Sequence, residues 1–218
     1  MSRPLLLDLF CGAGGAAMGY HRAGFDVVGV DHKPQPNYPF RFIQAEWYMV
    51  ALEQYLEFDV IHASPPCQAY STTASLHDNE HPDLIEPTRD ALRKTGLPYI
   101  IENVVGAPLL RQPTFEIEAY RVSVCGSSFG LGVRRHRLFE SNVPLTPRVC
   151  AHHLQPEPID VTGMGGPGGR HRKPKNLGHA REVMGIDWMS RAELSQAVPP
   201  AYTEFLGKQI LAVLEAVA

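Results

Sequence analysis

Four short stretches hold the residue types that could do chemistry: "DLFCGAGG" at 8–15, "HASPPCQAYS" at 62–71, "ENV" at 102–104 and "RRHR" at 134–137. Cys67 follows the apolar, β-branched run "FDVIHA" and a proline pair, so it sits where a buried strand gives way to a stiffened loop. Ligand sites of open α/β sheets lie at the carboxyl ends of strands. A thiol there is a candidate nucleophile, and the competing reading is a buried cysteine packing as a small hydrophobe. Gly12 and Gly14 let the backbone approach a ligand closely, and the helix that follows offers its N-terminal amides. Asp31 ends the second apolar run, where a carboxylate can accept from both hydroxyls of a ribose. Glu46, after the third run, could meet an adenine amino group. The layout is that of an adenosine-containing cofactor site. Two cofactors compete. Gly12 to Ala17 fits the G-x-G-x-x-A pattern of nicotinamide and flavin sites. S-adenosylmethionine has no pyrophosphate to cradle, and Phe10 favours it, because an aromatic there can pack on adenine.

The elements that must position these residues alternate between strand-like and helical patterns. Strands are expected over 4–10, 25–31, 40–46, 58–64, 97–104 and 120–130, with another in the second half of "RRHRLFESN". Helices are expected over 16–24, 47–56, 88–96, 180–186, 190–198 and, amphipathically, 200–217. Such alternation predicts an α/β fold with a doubly wound, mostly parallel sheet. The 218 residues are 44% hydrophobic and suffice for one domain with a small appendage. A net charge of −3 excludes a polycation, so a nucleic-acid surface would have to be local. No apolar run approaches the roughly 20 residues of a membrane span. The four cysteines form no C-x-x-C pair, which predicts a reducing, cytoplasmic setting. "CAHH" at 150–153 offers metal ligands, but no second pair follows at a suitable spacing, so no metal centre is expected.

Taken together, the four stretches resemble, in order and spacing, the motifs of the DNA (cytosine-5) methyltransferase family. The likeness runs over residues 5–140 and resumes at the C-terminal helix. It implies a Rossmann-like S-adenosylmethionine-dependent fold and transfer of a methyl group to carbon 5 of a cytosine flipped out of double-stranded DNA. The chemistry agrees with the residues. Carbon 5 is a poor nucleophile until a thiolate, here Cys67, adds to carbon 6. Glu102, if protonated, can donate to N3 as charge moves there. Arg135 and Arg137 can bind O2 or a phosphate. The resemblance places Asp8, Phe10, Gly12, Ala13, Gly14, Asp31, His32, Glu46, Pro66 and Lys208 around the cofactor, and Gln68, Ser71 and Asn103 at the nucleic acid, with Asn103 holding either the loop or the base by hydrogen bonds.

Three departures from the family pattern matter. Val133 stands where a glutamine is usual. "GKQI" replaces Gly-Asn-Ser-Val, putting Lys208 where it could pair with the cofactor carboxylate. The region available for target recognition is short, and residues 1–140, 141–182 and 183–218 are expected to be a catalytic part, a small irregular insert and a C-terminal helical completion. The insert holds Arg170, Arg172, Lys173 and Lys175 among glycines, which suits binding to phosphates. So compact a chain would suit a bacteriophage enzyme, acting in the host cytoplasm as a monomer. A catalytically weak DNA-binding relative and an RNA cytosine-5 methyltransferase are the alternatives.

Overall fold

The computed structural model describes residues 2–49, 55–66, 83–107, 109, 119–162 and 172–217. Cys67, Gln68, Ser71 and Arg170 lie outside them. Seven strands form one sheet: β1 (Leu5–Leu9), β2 (Asp26–Asp31), β3 (Arg41–Gln44), β4 (Val60–Ala63), β5 (Tyr99–Asn103), β6 (Tyr120–Val124) and β7 (Arg137–Ser141). The helices are α1 (Gly15–Ala23), α2 (Ile85–Thr95), α3 (Leu177–Met184), α4 (Arg191–Gln196) and α5 (Pro200–Val217).

The strand order is β3-β2-β1-β4-β5-β7-β6. The pairs among β1 to β5 are parallel, whereas β7 runs antiparallel to both β5 and β6. A dinucleotide-binding sheet has the order 3-2-1-4-5-6. The inserted antiparallel strand therefore separates this sheet from that fold and removes the nicotinamide reading its topological support. The chain winds away from β1 in one direction and from β4 in the other. The switch point thus lies between them, where α/β sheets bind ligands.

Apolar alternation explains the two layers. Leu6, Val60, Ile100 and Phe139 face α1 and α5 in one core. Leu7, Leu9, Ile61 and Ile101 face Ile85 and Leu92 of α2 in the other. Arg89 of α2 reaches Glu140 of β7 with Nε 2.6 Å from Oε1, both side chains fully buried, and Arg121 of β6 joins them at 3.2 Å. This network ties the antiparallel strand to the helix beneath it. A third cluster joins α3 and α4 to Ala13 of the glycine turn and to Val133 and Val161.

Several expected elements differ in detail. Residues 126–129 form a 3-10 turn rather than continuing β6, because Gly126 packs against Val133. Trp47–Met49 is likewise a 3-10 turn, and residues 50–54 of the helix expected there lie outside the described residues. The helix expected at 88–96 starts three residues earlier, at Ile85, where Asp83 accepts the Ile85 N–H. Helix α3 begins at Leu177, inside the range expected to be an irregular insert, capped by Asn176.

Helices α1 and α5 meet through small residues. A methyl group on Gly19 would overlap Thr203 Oγ1 and the Pro200 carbonyl oxygen and come within 2.7 Å of the Glu204 nitrogen. Backbone on both sides cannot yield cheaply. Gly19→Ala is therefore expected to lower stability by roughly 1–3 kcal/mol in spite of alanine's better helix propensity; urea unfolding of the variant beside the wild type measures it.

Candidate active site

A cavity of about 470 Å³ opens at the carboxyl ends of β1, β4 and β5, within the size range of small-molecule sites. Its floor comes from Asp8 and from Phe10 to Ala13 after β1, from Ser64 to Pro66 after β4, and from Glu102 of β5. Its roof comes from Met189 to Val198, and Arg137 closes one side.

The glycine turn is held from three directions. The Gly12 N–H donates to Asp31 Oδ2 at 3.0 Å, and the Trp188 indole N–H donates to the Ala13 carbonyl at 2.8 Å. The Cys11 N–H donates to the Val30 carbonyl. Phe10 is the one described non-glycine residue at positive φ, 57°, a conformation that costs energy and clusters at ligand sites. Gly12 has φ +49°, and a Cβ there would meet no described residue within 4 Å. The rings of Phe10 and Trp47 lie 5.9 Å apart.

Three ionisable side chains share one sheet face. Asp8 and His62 are in register on neighbouring strands, and Glu102 lies two residues beyond Ile100, the partner of His62. All three interrupt apolar runs and all are buried. Burial drives the Asp8 carboxyl well above the usual range, and the nearby charges of Asp31 and Glu102 add to this. Among the described residues, neither Asp8 oxygen has a hydrogen-bond partner. Burial pushes His62 down to about 3, so it is neutral. Burial raises Glu102, while the Arg137 charge, the Ser64 hydrogen bond and Arg135 oppose the shift.

His62 Nδ1 is 3.0 Å from the Tyr20 hydroxyl, and Nε2 is 2.9 Å from Ser64 Oγ. Ser64 in turn hydrogen-bonds Glu102. One direction satisfies every member. Tyr20 donates to Nδ1, Nε2–H donates to Ser64, and Ser64 donates to Glu102. Any proton on Glu102 is then left for the cavity. Arg137 Nε is 2.9 Å from Glu102 Oε1, but its N–H is not aligned for a hydrogen bond, so the contact is purely an ion pair. Pattern reasoning missed Tyr20, His62 and Ser64. A histidine inside "VIHA" was the available signal.

Of the residues expected at the cofactor, Asp8, Phe10, Gly12, Ala13 and Pro66 line the cavity. Gly14, Asp31, His32 and Glu46 lie outside its lining. Gly14 caps α1. Asp31 spends its carboxylate on the Gly12 and Lys33 N–H groups, with half-exposed His32 beside it. Glu46 is half-buried. Lys208 requires correction. It pairs with Glu204 at 2.6 Å on the outer side of α5 and borders a separate surface cleft. It lies two residues past buried Leu206, about 200° around the helix.

Asn103, expected to hold either the loop or the base by hydrogen bonds, is bonded to the loop. It is 1% exposed, and its amide donates to the Pro65 carbonyl at 3.0 Å while its oxygen accepts the Val104 N–H. It braces the proline loop. Arg137 faces the cavity, whereas Arg135 donates to the Ser195 carbonyl at 2.8 Å. Arg172, Lys173 and Lys175 are exposed, with Arg172 Nη2 2.5 Å from Glu157. Spacing concealed a second ligand pair for Cys150 and His152: Cys125 and His136 meet them in space, which removes the reason for expecting no metal centre.

Comparison with known proteins bears on this geometry. The model of the C-5 cytosine-specific DNA methylase family matches residues 5–106, which include the glycine turn, the proline loop and Glu102. Residues 5–106 thus resemble the C-5 cytosine-specific DNA methylases. The type II methyltransferase M.FnuDI of Fusobacterium nucleatum is 31% identical over 84 residues, 35% of this chain and 24% of that protein. M.AquIA of Picosynechococcus is 30% identical over 123 residues, 46% of this chain and 48% of that protein. The chain thus spans between a quarter and a half of these relatives. The fold resembles that of a DNA modification methyltransferase encoded within an E. coli prophage, with a TM-score of 0.67 and 14% identity over 97% of this chain and 99% of that one. It also resembles Entamoeba histolytica EhMeth, with a TM-score of 0.63 and 13% identity over all of both chains. The seven-strand, mostly parallel sheet thus has the Rossmann-like fold of these structures. Among the described residues, no helix is long and apolar enough to cross a membrane.

The unpartnered Asp8 carboxyl has a consequence for stability. A folded-state pKa raised above the unfolded value contributes stability below the ordinary carboxylate range, and that contribution is lost as pH rises through the folded value. Asp8→Asn is therefore expected to stabilise the ligand-free protein at neutral pH by about 1–3 kcal/mol. The gain should shrink toward pH 4. Thermal unfolding across pH reads both trends.

Proposed function

We propose that the chain methylates carbon 5 of cytosine in DNA, using S-adenosylmethionine and a covalent adduct to Cys67. The observation that carries this reading is the buried Glu102 carboxyl, its proton favoured by burial and left free for the cavity beside the proline loop that leads into Cys67.

The cavity fits the cofactor. The orphaned Asp8 carboxyl matches an ammonium group, and Phe10 and Val198 offer apolar surface to an adenosine moiety. Asp31, which already orients Gly12, is a candidate for the ribose hydroxyls. When bound, S-adenosylmethionine supplies an electrophilic methyl group. The remaining work falls to the chain. The Cys67 thiolate forms a bond to carbon 6, and the displaced electron pair moves toward N3 and O2. Glu102 places its proton on N3, and Arg137 stabilises the carboxylate left behind. The nucleophilic character gained at carbon 5 accepts the methyl group. Loss of the carbon-5 proton to a base then restores the carbon 5–carbon 6 double bond and expels the Cys67 thiolate, and the N3 proton returns to Glu102. Asn103, by holding the Pro65 carbonyl, fixes the loop that presents Cys67.

Arg172, Lys173 and Lys175 are exposed and, with Arg170 close by in the sequence, are the candidates to neutralise the phosphate backbone. With so few side chains available to reach base edges, a short or relaxed target sequence is expected.

Two measurements test this reading. DNA carrying 5-fluorocytosine should trap the wild-type protein covalently, because carbon 5 then has no proton to lose. Cys67→Ala should form no adduct and transfer no methyl group; an active alanine variant would overturn the mechanism, and faster methylation of RNA in direct competition would overturn the choice of substrate. Replacing Arg170, Arg172, Lys173 and Lys175 by alanine should reduce the slope of log affinity against log salt by roughly one for each phosphate that the variant no longer neutralises. Parallel lines for the wild type and the fourfold variant would place recognition elsewhere.

A further inference from the structure

Away from the cavity, four metal-binding side chains converge from separate parts of the chain. Cys125 follows β6 and is fully buried. His136 immediately precedes β7, while Cys150 and His152 lie on the connection after it. One ligand atom from each lies within 4.8 Å of all the others. Cys125 Sγ is 3.4 Å from His152 Nε2, and Cys150 Sγ is 3.5 Å from His136 Nε2. A tetrahedral zinc ion with its usual bonds to sulfur and nitrogen has ligand-to-ligand edges of about 3.3–3.8 Å. Both distances fall in that range. The two imidazole rings meet edge to face, 89° apart with centroids at 5.2 Å, so their nitrogens approach a common point from different directions.

We propose that Cys125, His136, Cys150 and His152 bind one zinc ion as a structural site. Two sulfurs and two nitrogens select zinc over magnesium or calcium, which take oxygen ligands. Four protein ligands leave no open position for substrate, which is the structural rather than the catalytic pattern. An outer hydrogen-bond bridge is in place. Ser127 Oγ donates to Cys125 Sγ at 3.3 Å and accepts the Ala151 N–H at 3.2 Å, linking the two cysteine segments. The connection that supplies Cys150 and His152 has little core of its own: Val149 is 88% exposed and Leu154 76%. A metal staple is what such a segment needs.

The site also has a positioning role. His136 stands between Arg135 and Arg137, and the Arg137 guanidinium that faces Glu102 also donates to the His136 carbonyl at 2.8 Å. Arg134 donates to the His152 carbonyl at 3.0 Å. Fixing His136 and His152 to one ion therefore fixes the backbone from which Arg137 reaches the carboxyl.

The test is the metal content of the full chain purified without chelators. Wild type should carry about one zinc per chain. Cys150→Ser with His152→Ala should lower zinc affinity by more than about tenfold. Should that variant fail to fold, the wild type alone decides. Metal-stripped wild type should take up one equivalent of cobalt(II) with thiolate-to-metal charge-transfer bands and a tetrahedral ligand-field spectrum. Its thermal midpoint should fall on stripping and return with zinc. All four cysteines should react with a thiol reagent after denaturation without reductant. Wild type without zinc or cobalt uptake, equal zinc in wild type and variant, or two missing thiols from a Cys125–Cys150 disulfide would each overturn the site. None of these readouts depends on methyl transfer.

Discussion

Asp8, His62 and Glu102 occupy adjacent strands on one face of the sheet, where apolar side chains and α1 exclude water. Taking a charge out of water is expensive, so each group is pressed toward its neutral form. The surrounding structure follows from accommodating them. Tyr20 on α1 supplies the donor that neutral His62 requires. His62 orients Ser64, and Ser64 orients Glu102. Among the described residues Asp8 finds no partner, and an unpaired buried carboxyl is tolerable in a folded protein when a ligand completes it. Stability given up at such a position is a common companion of function.

The second dependence is on segments far apart in the chain. Trp188 and Ala13 are joined by a hydrogen bond across 175 residues, and Arg135 is anchored to Ser195. The roof over the cavity therefore comes from the last fifth of the chain, while its floor comes from the first half. Helix α5 packs on α1 through Gly19 and Thr203, which sets the height of the roof above the glycine turn. Because Ala13 belongs to the same apolar cluster as Val183, Met184 and Leu194, the turn and the roof have to fold together.

Much of this arrangement is legible in the sequence. Apolar runs broken by Asp8 and Glu102 place acids at strand ends, and their continuous apolar, β-branched character identifies the strands. The insertion of β7 between β5 and β6 is not legible, because local pattern carries no information about which neighbour an antiparallel strand chooses. Lys208 was misplaced because a motif position says nothing about helix phase. The role of Asn103 stayed open between loop and base because an amide after a glutamate suits a base and a backbone carbonyl equally well. Cys125, His136, Cys150 and His152 stayed hidden because their separations of 11, 14 and 2 residues match no familiar metal motif. Only the β6–β7 hairpin and the returning connection bring them together.

The central claim is that burial holds a proton on Glu102 above the ordinary carboxylate range, in spite of Arg137. Carbon-13 NMR of the protein labelled at the glutamate side-chain carboxyls measures this directly, with Glu102 assigned by the signal that disappears in Glu102→Gln. The Glu102 resonance is expected to titrate above those of the exposed glutamates. A resonance that titrates with them, or below them, would mean that the Arg137 ion pair dominates, and the account of Glu102 as the proton donor would fail.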